Sequence, residues 1–187
     1  MDAAAAYLHP FDDPLIWEGH ASLIDEVLAA GLEPDTVVLS VGGGGLLCGV
    51  AEGLQRAGLA KVRIITAETV GTESFYKSMQ AGEVVELDRI SSVATTLGAK
   101  RVASQALEVS RNFEVIPHVV TDREALEACL LFADDHRLVV EPACGAALAL
   151  VYQGVPAVQG AENILLIVCG GAGITYGKLV ELKASAE

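Results

Sequence analysis

The chain has 187 residues, with 25 acidic against 12 basic side chains and 52% hydrophobic residues, so it can bury one substantial core and is too apolar for disorder. A formal charge of −13, with Lys and Arg dispersed along the chain, offers no basic face to a polyphosphate backbone, and no nucleic-acid partner is expected. No apolar run approaches the ~20 residues of a bilayer-spanning helix and no basic-then-apolar leader opens the chain, so the expectation is a soluble, cytoplasmic protein without a membrane partner.

The opening Met1 to Ala6 is alanine-rich, and residues 1–8 are expected to fray. The remainder carries no linker, charge block or repeat that would divide it, which predicts a single domain over 1–187. Leu15 to Ala30 places Leu15, Leu23, Val27 and Ala30 at helical intervals, with Gly31 positioned for a left-handed stop. Thr36 to Val41 is β-branched and continuously apolar, as a strand covered on both faces should be, and Gly42 to Gly45 follow it directly. A helix from Leu46 to Ala57 then ends near Gly58.

Val62 to Ala67 reads as a second buried strand, Glu73 to Gln80 and Lys100 to Arg111 as helices, and Glu114 to Val120 as a strand. Thr121 and Glu124 form a capping-box pair opening a helix through Asp135. Glu141 to Tyr152 is a helix with Pro142 in its first turn, Asn163 to Cys169 is a last apolar strand, and Ile174 to Leu182 closes the chain as a helix. Strands and helices alternate throughout. The prediction is a three-layer αβα domain of the α/β class with a mainly parallel sheet.

In open parallel sheets ligands collect beyond the carboxyl ends of the strands, where a tight turn aims backbone N–H groups and a helix N-terminus at an anion. Ser40-Val41-Gly42-Gly43-Gly44-Gly45-Leu46 has that arrangement, and a phosphate is its natural guest. A tight packing turn is the plainer reading. Glu68, at the end of the next strand, sits where a dinucleotide-binding carboxylate belongs, but a G-x-G-x-x-G reading places Leu47 or Cys48 at the third glycine. No Gly-Lys-Ser/Thr follows the loop, which removes the nucleotide-triphosphate reading. A small phosphorylated cofactor fits better than either.

Cys48, Cys129, Cys144 and Cys169 lie far apart without a Cys-x-x-Cys pair and read as reduced, mostly buried thiols. His9, His20, His118 and His136 lack the spacing of ligands to one metal, and no serine stands in a nucleophile elbow. Asp12 and Asp13 before Pro14 read as turn and cap chemistry. Glu141 and Cys144 read as a helix start packed beneath the site rather than as reacting groups.

From about His9 to Leu182 the chain resembles the C-terminal, cofactor-domain part of the L-serine dehydratases, the serine/threonine ammonia-lyase branch of the fold-type II pyridoxal 5'-phosphate enzymes. The resemblance rests on His9-Pro10-Phe11-Asp12-Asp13-Pro14, Trp17-Glu18-Gly19-His20, the tetraglycine loop, Glu68-Thr69-Val70-Gly71-Thr72-Glu73-Ser74, Thr96-Leu97-Gly98-Ala99, Val140-Glu141-Pro142-Ala143-Cys144-Gly145-Ala146-Ala147 and Val168-Cys169-Gly170-Gly171. It implies that Gly42, Gly43, Gly44, Gly45 and Leu46 hold the cofactor phosphate through backbone amides while Cys169 faces the pyridine nitrogen. A thiol there is a weak neutral partner, which suits elimination better than reactions needing a long-lived carbanion. Relatives that deaminate threonine or racemise serine usually carry serine at this position, so Cys169 leans toward the serine dehydratase type.

The resemblance also implies a monovalent cation, usually potassium, held by the Glu68 carboxylate, the Ser74 hydroxyl and carbonyls of Gly42, Thr72, Leu97 and Ala99, hard oxygen donors suited to such an ion. Position 72 is often alanine in relatives, a change to which a backbone ligand is insensitive. Read without the resemblance, Glu68 is a strand-end carboxylate and Ser74 a helix cap.

The implied reaction is β-elimination from serine or threonine to a 2-oxo acid and ammonia, starting from a lysine joined to the cofactor as a Schiff base in a Ser-x-Lys segment. Lys61, Lys77, Lys100, Lys178 and Lys183 read as strand or helix residues without that context, and the small substrate-binding domain has no counterpart. No catalytic residue is therefore assigned, and the chain alone is expected to be inactive. The expected partners are a small amino-acid substrate in the complete enzyme and either a second copy in a homodimer or a missing N-terminal part. The alternative is a noncatalytic module binding a small phosphorylated ligand.

Overall fold

The computed structural model describes residues 7–186, so the fraying expected of the first eight residues lies mostly outside them. Four strands, β1 (Thr36–Ser40), β2 (Arg63–Thr69), β3 (Val115–Val120) and β4 (Ile164–Leu166), form one sheet in the order β3-β2-β1-β4. Every pairing is parallel, with Val37 opposite Ile64 on one side of β1 and Leu165 on the other. Parallel neighbours need crossovers, and the helices that supply them cover both faces.

One face carries α1 (Pro14–Ala29), α2 (Gly45–Arg56), α3 (Ser74–Ala81) and α4 (Ser104–Asn112); the other carries α5 (Asp122–His136), α6 (Pro142–Tyr152) and α7 (Tyr176–Ser185). The period of two along β1 divides the core accordingly. Val37 and Leu39 pack with Ile24, Leu47 and Leu54 on the first face, and Val38 packs with Leu126, Ala146 and Leu179 on the second. The three-layer reading therefore holds. Small residues set the helix spacing: a Cβ on Gly49 would lie 2.6 Å from the Trp17 carbonyl, so α2 can seat on α1 only with glycine there.

The expected helix ends are mostly present. Thr121 and Glu124 make both bonds of the capping box, Asp13 caps α1 by accepting from the Leu15 amide at 2.9 Å, and Gly31 is left-handed. Several boundaries differ for identifiable reasons. α4 begins at Ser104 rather than Lys100 because the preceding segment runs past the glycine loop, where the Ala103 amide donates to the Gly43 carbonyl at 2.9 Å. α7 begins after Thr175, whose hydroxyl accepts from the Lys178 amide. β4 is three residues instead of seven: the Ile167 amide makes one more bond to Val38, and the chain then turns toward α6, where the Gly170 carbonyl accepts from the Glu141 amide. Two short 3-10 turns, Thr95–Leu97 and Pro156–Val158, have no period long enough to read in the sequence. Among the described residues no helix is long and apolar enough to cross a membrane.

Candidate functional site

The site grows out of the carboxyl end of β1. Its last ladder bond runs from the Val41 amide to the Ala67 carbonyl at 2.9 Å, after which Gly42 to Gly44 turn the chain into α2. Gly44 has φ +90°, and a Cβ on it would lie 2.7 Å from the Ala106 Cβ, so both conformation and space demand glycine. A Cβ on Gly43 would run into the Phe11 ring, and one on Gly45 would lie 2.8 Å from the Phe11 carbonyl. Phe11 is fixed in turn, because the Trp17 indole N–H donates to its carbonyl at 2.8 Å.

This geometry leaves a row of donors unspent. Among the described residues no acceptor is bonded to the amides of Gly42 to Leu47, which comprise the turn and the first-turn amides of α2. They line a cavity of about 270 Å³ together with His20, Ser40 and Thr96. Unsatisfied N–H groups at the positive end of a helix form a site for an anion, and a phosphate monoester matches the donor set.

A second cavity of about 130 Å³ adjoins the first, sharing Ser40 and Thr96 with it, and contains Cys169, Cys144 and Glu141. Its walls are braced by polar contacts. The Ser40 hydroxyl donates to the Ala143 carbonyl at 2.6 Å, and the Thr96 hydroxyl donates to the Glu141 carboxylate at 3.1 Å. Cys169 follows β4, beside β1, and is exposed; Cys144 lies in the first turn of α6 and is buried. The structure thus brings the glycine loop and Cys169 to the same end of two adjacent strands.

The other predicted group assembles only in part. Glu68 is fully buried at the end of β2, where its two oxygens accept from the Phe75 and Tyr76 amides at 2.8 and 2.7 Å. Burial pushes its carboxyl up to about 8, against those two amide bonds. Both oxygens face α3 amides, which disposes of a ribose-binding role. Ser74, the first residue of α3, has a buried hydroxyl without a hydrogen-bond partner. Gly42 touches Leu97 closely: a Cβ would lie 3.2 Å from its Cα. The Thr72 carbonyl already accepts from the Ser74 amide at 2.7 Å, and the Leu97 carbonyl from the Ala99 amide at 2.7 Å, which leaves each a second lone pair. Among the described residues, the Ser74 hydroxyl stands without a partner next in sequence to Phe75, whose amide donates to Glu68, and both groups are oxygen donors.

Lys61 and Lys100 lie in loops, correcting their expected placement on strands or helices; Lys77, Lys178 and Lys183 are helical. No lysine lines either cavity of the cleft. Sequence reasoning missed Ser40, Thr96 and Cys144 as lining groups, though all three stand inside motifs that carry the resemblance. The helix start at Glu141 and Cys144 forms a wall of the second cavity.

A family model described as pyridoxal-phosphate dependent enzyme matches residues 2–170. An L-serine dehydratase/L-threonine deaminase of Bos taurus is 49% identical over 95% of this chain and 57% of its own length. A serine dehydratase-like protein of Mus musculus is 50% identical over 93% of this chain and 56% of its own. The chain therefore spans little more than half the length of these curated relatives. Among solved structures, a fungal L-serine ammonia-lyase from Rhizomucor miehei superposes with TM-score 0.90 at 37% identity, covering 97% of this chain and 60% of that one. Maize serine racemase gives TM-score 0.82 at 26% identity, over 95% of this chain and 55% of that one.

Proposed function

The chain belongs to the family of pyridoxal-phosphate dependent enzymes, and from that premise we propose that it is the cofactor-holding part of an L-serine/L-threonine dehydratase. The reaction proposed for the complete enzyme is β-elimination, which yields a 2-oxo acid and ammonia. The observation that carries the reading is the row of unspent amides from Gly42 to Leu47 in a cleft with Cys169. When bound, pyridoxal 5'-phosphate supplies an electron sink for the α-carbon of an amino acid. The amides of Gly42 to Leu46 would hold its phosphate, and glycines at 43 and 45 leave room for Phe11, which packs on the loop and lines the same cavity. Cys169 offers the ring nitrogen a neutral S–H in place of a charge, which favours elimination over a persistent carbanion.

Glu68 and the Ser74 hydroxyl, with carbonyls of Gly42, Thr72, Leu97 and Ala99, hold potassium or a like cation beside the loop. The partnerless Ser74 hydroxyl and the desolvation of Glu68 support this assignment. Four free thiols suit a reducing compartment such as the cytoplasm.

A polypeptide of these residues alone binds the cofactor without covalent attachment and does not turn over serine, since no lysine reaches the cleft. The same observation supports a second reading, a noncatalytic module for a small phosphorylated ligand. Titration with pyridoxal phosphate and with NAD, followed by addition of a lysine-bearing N-terminal fragment and a pyruvate assay, separates these. The dehydratase reading expects cofactor binding, no NAD binding and pyruvate only after the fragment is added. Pyruvate from the chain alone contradicts it, and cofactor binding that never yields pyruvate with the fragment favours the module.

A further inference from the structure

The second cavity holds two thiols in a setting the elimination chemistry does not require. Cys144 Sγ lies 3.4 Å from the amide nitrogen of Gly170 and 3.3 Å from its carbonyl oxygen, accepting from the first and donating to the second. Gly170 is bonded directly to Cys169, and both cysteines line the same 130 Å³ space. Gly170 has φ +140°, and a Cβ there would meet nothing within 4 Å, so no side chain stands between the two cysteines at this residue. Cys48 and Cys129 are buried on other elements and line neither cavity of the cleft.

We propose that Cys144 and Cys169 form an oxidisable dithiol at the ring end of the cleft, which hydrogen peroxide converts to an intramolecular disulfide. The Cys144 thiol is pulled down by its neighbour Cys169 and by the Gly170 amide, against the effect of burial, so it supplies the thiolate that attacks. The Cys169 thiol is held up by the same contact. The Cys144 thiolate breaks the O–O bond, takes one oxygen as a sulfenic acid and releases the other as hydroxide, which becomes water with the proton Cys144 gave up. The Cys169 sulfur then displaces the sulfenic oxygen, which leaves with the Cys169 proton as a second water. Two thiols lose two electrons and the peroxide gains them.

The thiol chemistry stands on this geometry alone, whereas its consequence for a ligand rests on the cofactor reading above. Once Cys169 is in a disulfide it has no S–H to present to a ring nitrogen, so oxidation and cofactor binding oppose each other.

The test is hydrogen peroxide on the purified 187-residue chain. Expected are a fall from four free thiols to two under denaturing conditions, a mass loss of about 2 Da reversed by dithiothreitol, and a peptide map that joins the Cys144 and Cys169 peptides. Cys144→Ser and Cys169→Ser each abolish the loss. Mass gains in steps of about 16 Da without a crosslink, a Cys48 or Cys129 linkage, or a disulfide between two chains through Cys169 overturn the proposal. Pre-incubation with pyridoxal phosphate is expected to slow crosslinking about tenfold by occupying the cavity. A crosslink that forms at the same rate with the cofactor present keeps the dithiol and counts against the cofactor reading. Its absence from a chain that still binds the cofactor overturns the dithiol alone.

Discussion

Replacing Glu68 by glutamine should remove one specific slope from the pH dependence of stability. Glu68 is buried between β2 and α3, and its carboxyl titrates near 8 against an ordinary value of 4.5. At about 1.4 kcal/mol per unit, that difference corresponds to a contribution on the order of 5 kcal/mol. A carboxyl that binds its proton more tightly in the folded state stabilises the fold fully below pH 4.5 and loses that contribution as pH rises through about 8. Glutamine has no such titration. It keeps one oxygen for the Phe75 or Tyr76 amide and opposes the other with its own N–H, a pH-independent cost of about 1–3 kcal/mol.

Urea unfolding of both proteins at pH 5, 6.5, 8 and 9, in tetramethylammonium buffer, isolates the effect in their difference. The wild type should lose on the order of 3–5 kcal/mol relative to Glu68→Gln between the extremes. His118, whose pKa burial lowers, acts with the opposite sign, since its contribution is lost as pH falls through its folded pKa, and it cancels in the difference. Potassium at high pH should restore the wild type, because a cation takes the proton's place beside the carboxylate, and should leave Glu68→Gln unchanged. Parallel stability curves for the two proteins would refute the reasoning about burial. A wild type indifferent to potassium would refute the cation assignment alone.

Gly49→Ala should cost about 3 kcal/mol or more in chemical denaturation, since the new methyl runs into the His20 Cβ and the Trp17 carbonyl where α2 seats on α1. Thr121→Ala should cost about 1 kcal/mol by removing one half of the α5 capping box, and because Thr121 lies outside the cleft, cofactor affinity should not change. Gly44→Ala, which forces a methyl into left-handed backbone 2.7 Å from the Ala106 Cβ, should weaken pyridoxal phosphate binding at least tenfold in a fluorescence titration, by displacing the loop amides.

Much of this fold is legible from local chemistry. The β-branched, apolar-rich runs at Thr36–Val41 and Val62–Ala67 mark strands with both faces covered, and Thr121 with Glu124 marks a helix start whose partners are three residues apart. The last strand is less legible: Ile164 to Cys169 is apolar throughout, yet the departure toward α6 depends on a bond between Gly170 and Glu141, nearly thirty residues apart in the chain. The same holds for the early part of α4, where Ala103 bonds to Gly43 across the fold.

The site divides in the same way. Four consecutive glycines after a strand raise the expectation of an anion site from the sequence, because the donors would be backbone groups that are neighbours in order. Cys144, Thr96 and Ser40 meet only through three separate connections, and no spacing rule links them. Glu68 was legible as a strand-end carboxylate, but its burial and its two amide bonds follow from how α3 returns over β2.

Amide chemical-shift mapping shows whether the amides from Gly42 to Leu46 grip a phosphate monoester. Nitrogen-15-labelled chain is titrated with pyridoxal 5'-phosphate and, in parallel, with dephosphorylated pyridoxal. Large downfield shifts confined to the Gly42–Leu46 amides and their neighbours, produced by the phosphorylated compound only, are the predicted result. Unmoved loop amides, or equal shifts with pyridoxal, would contradict the account.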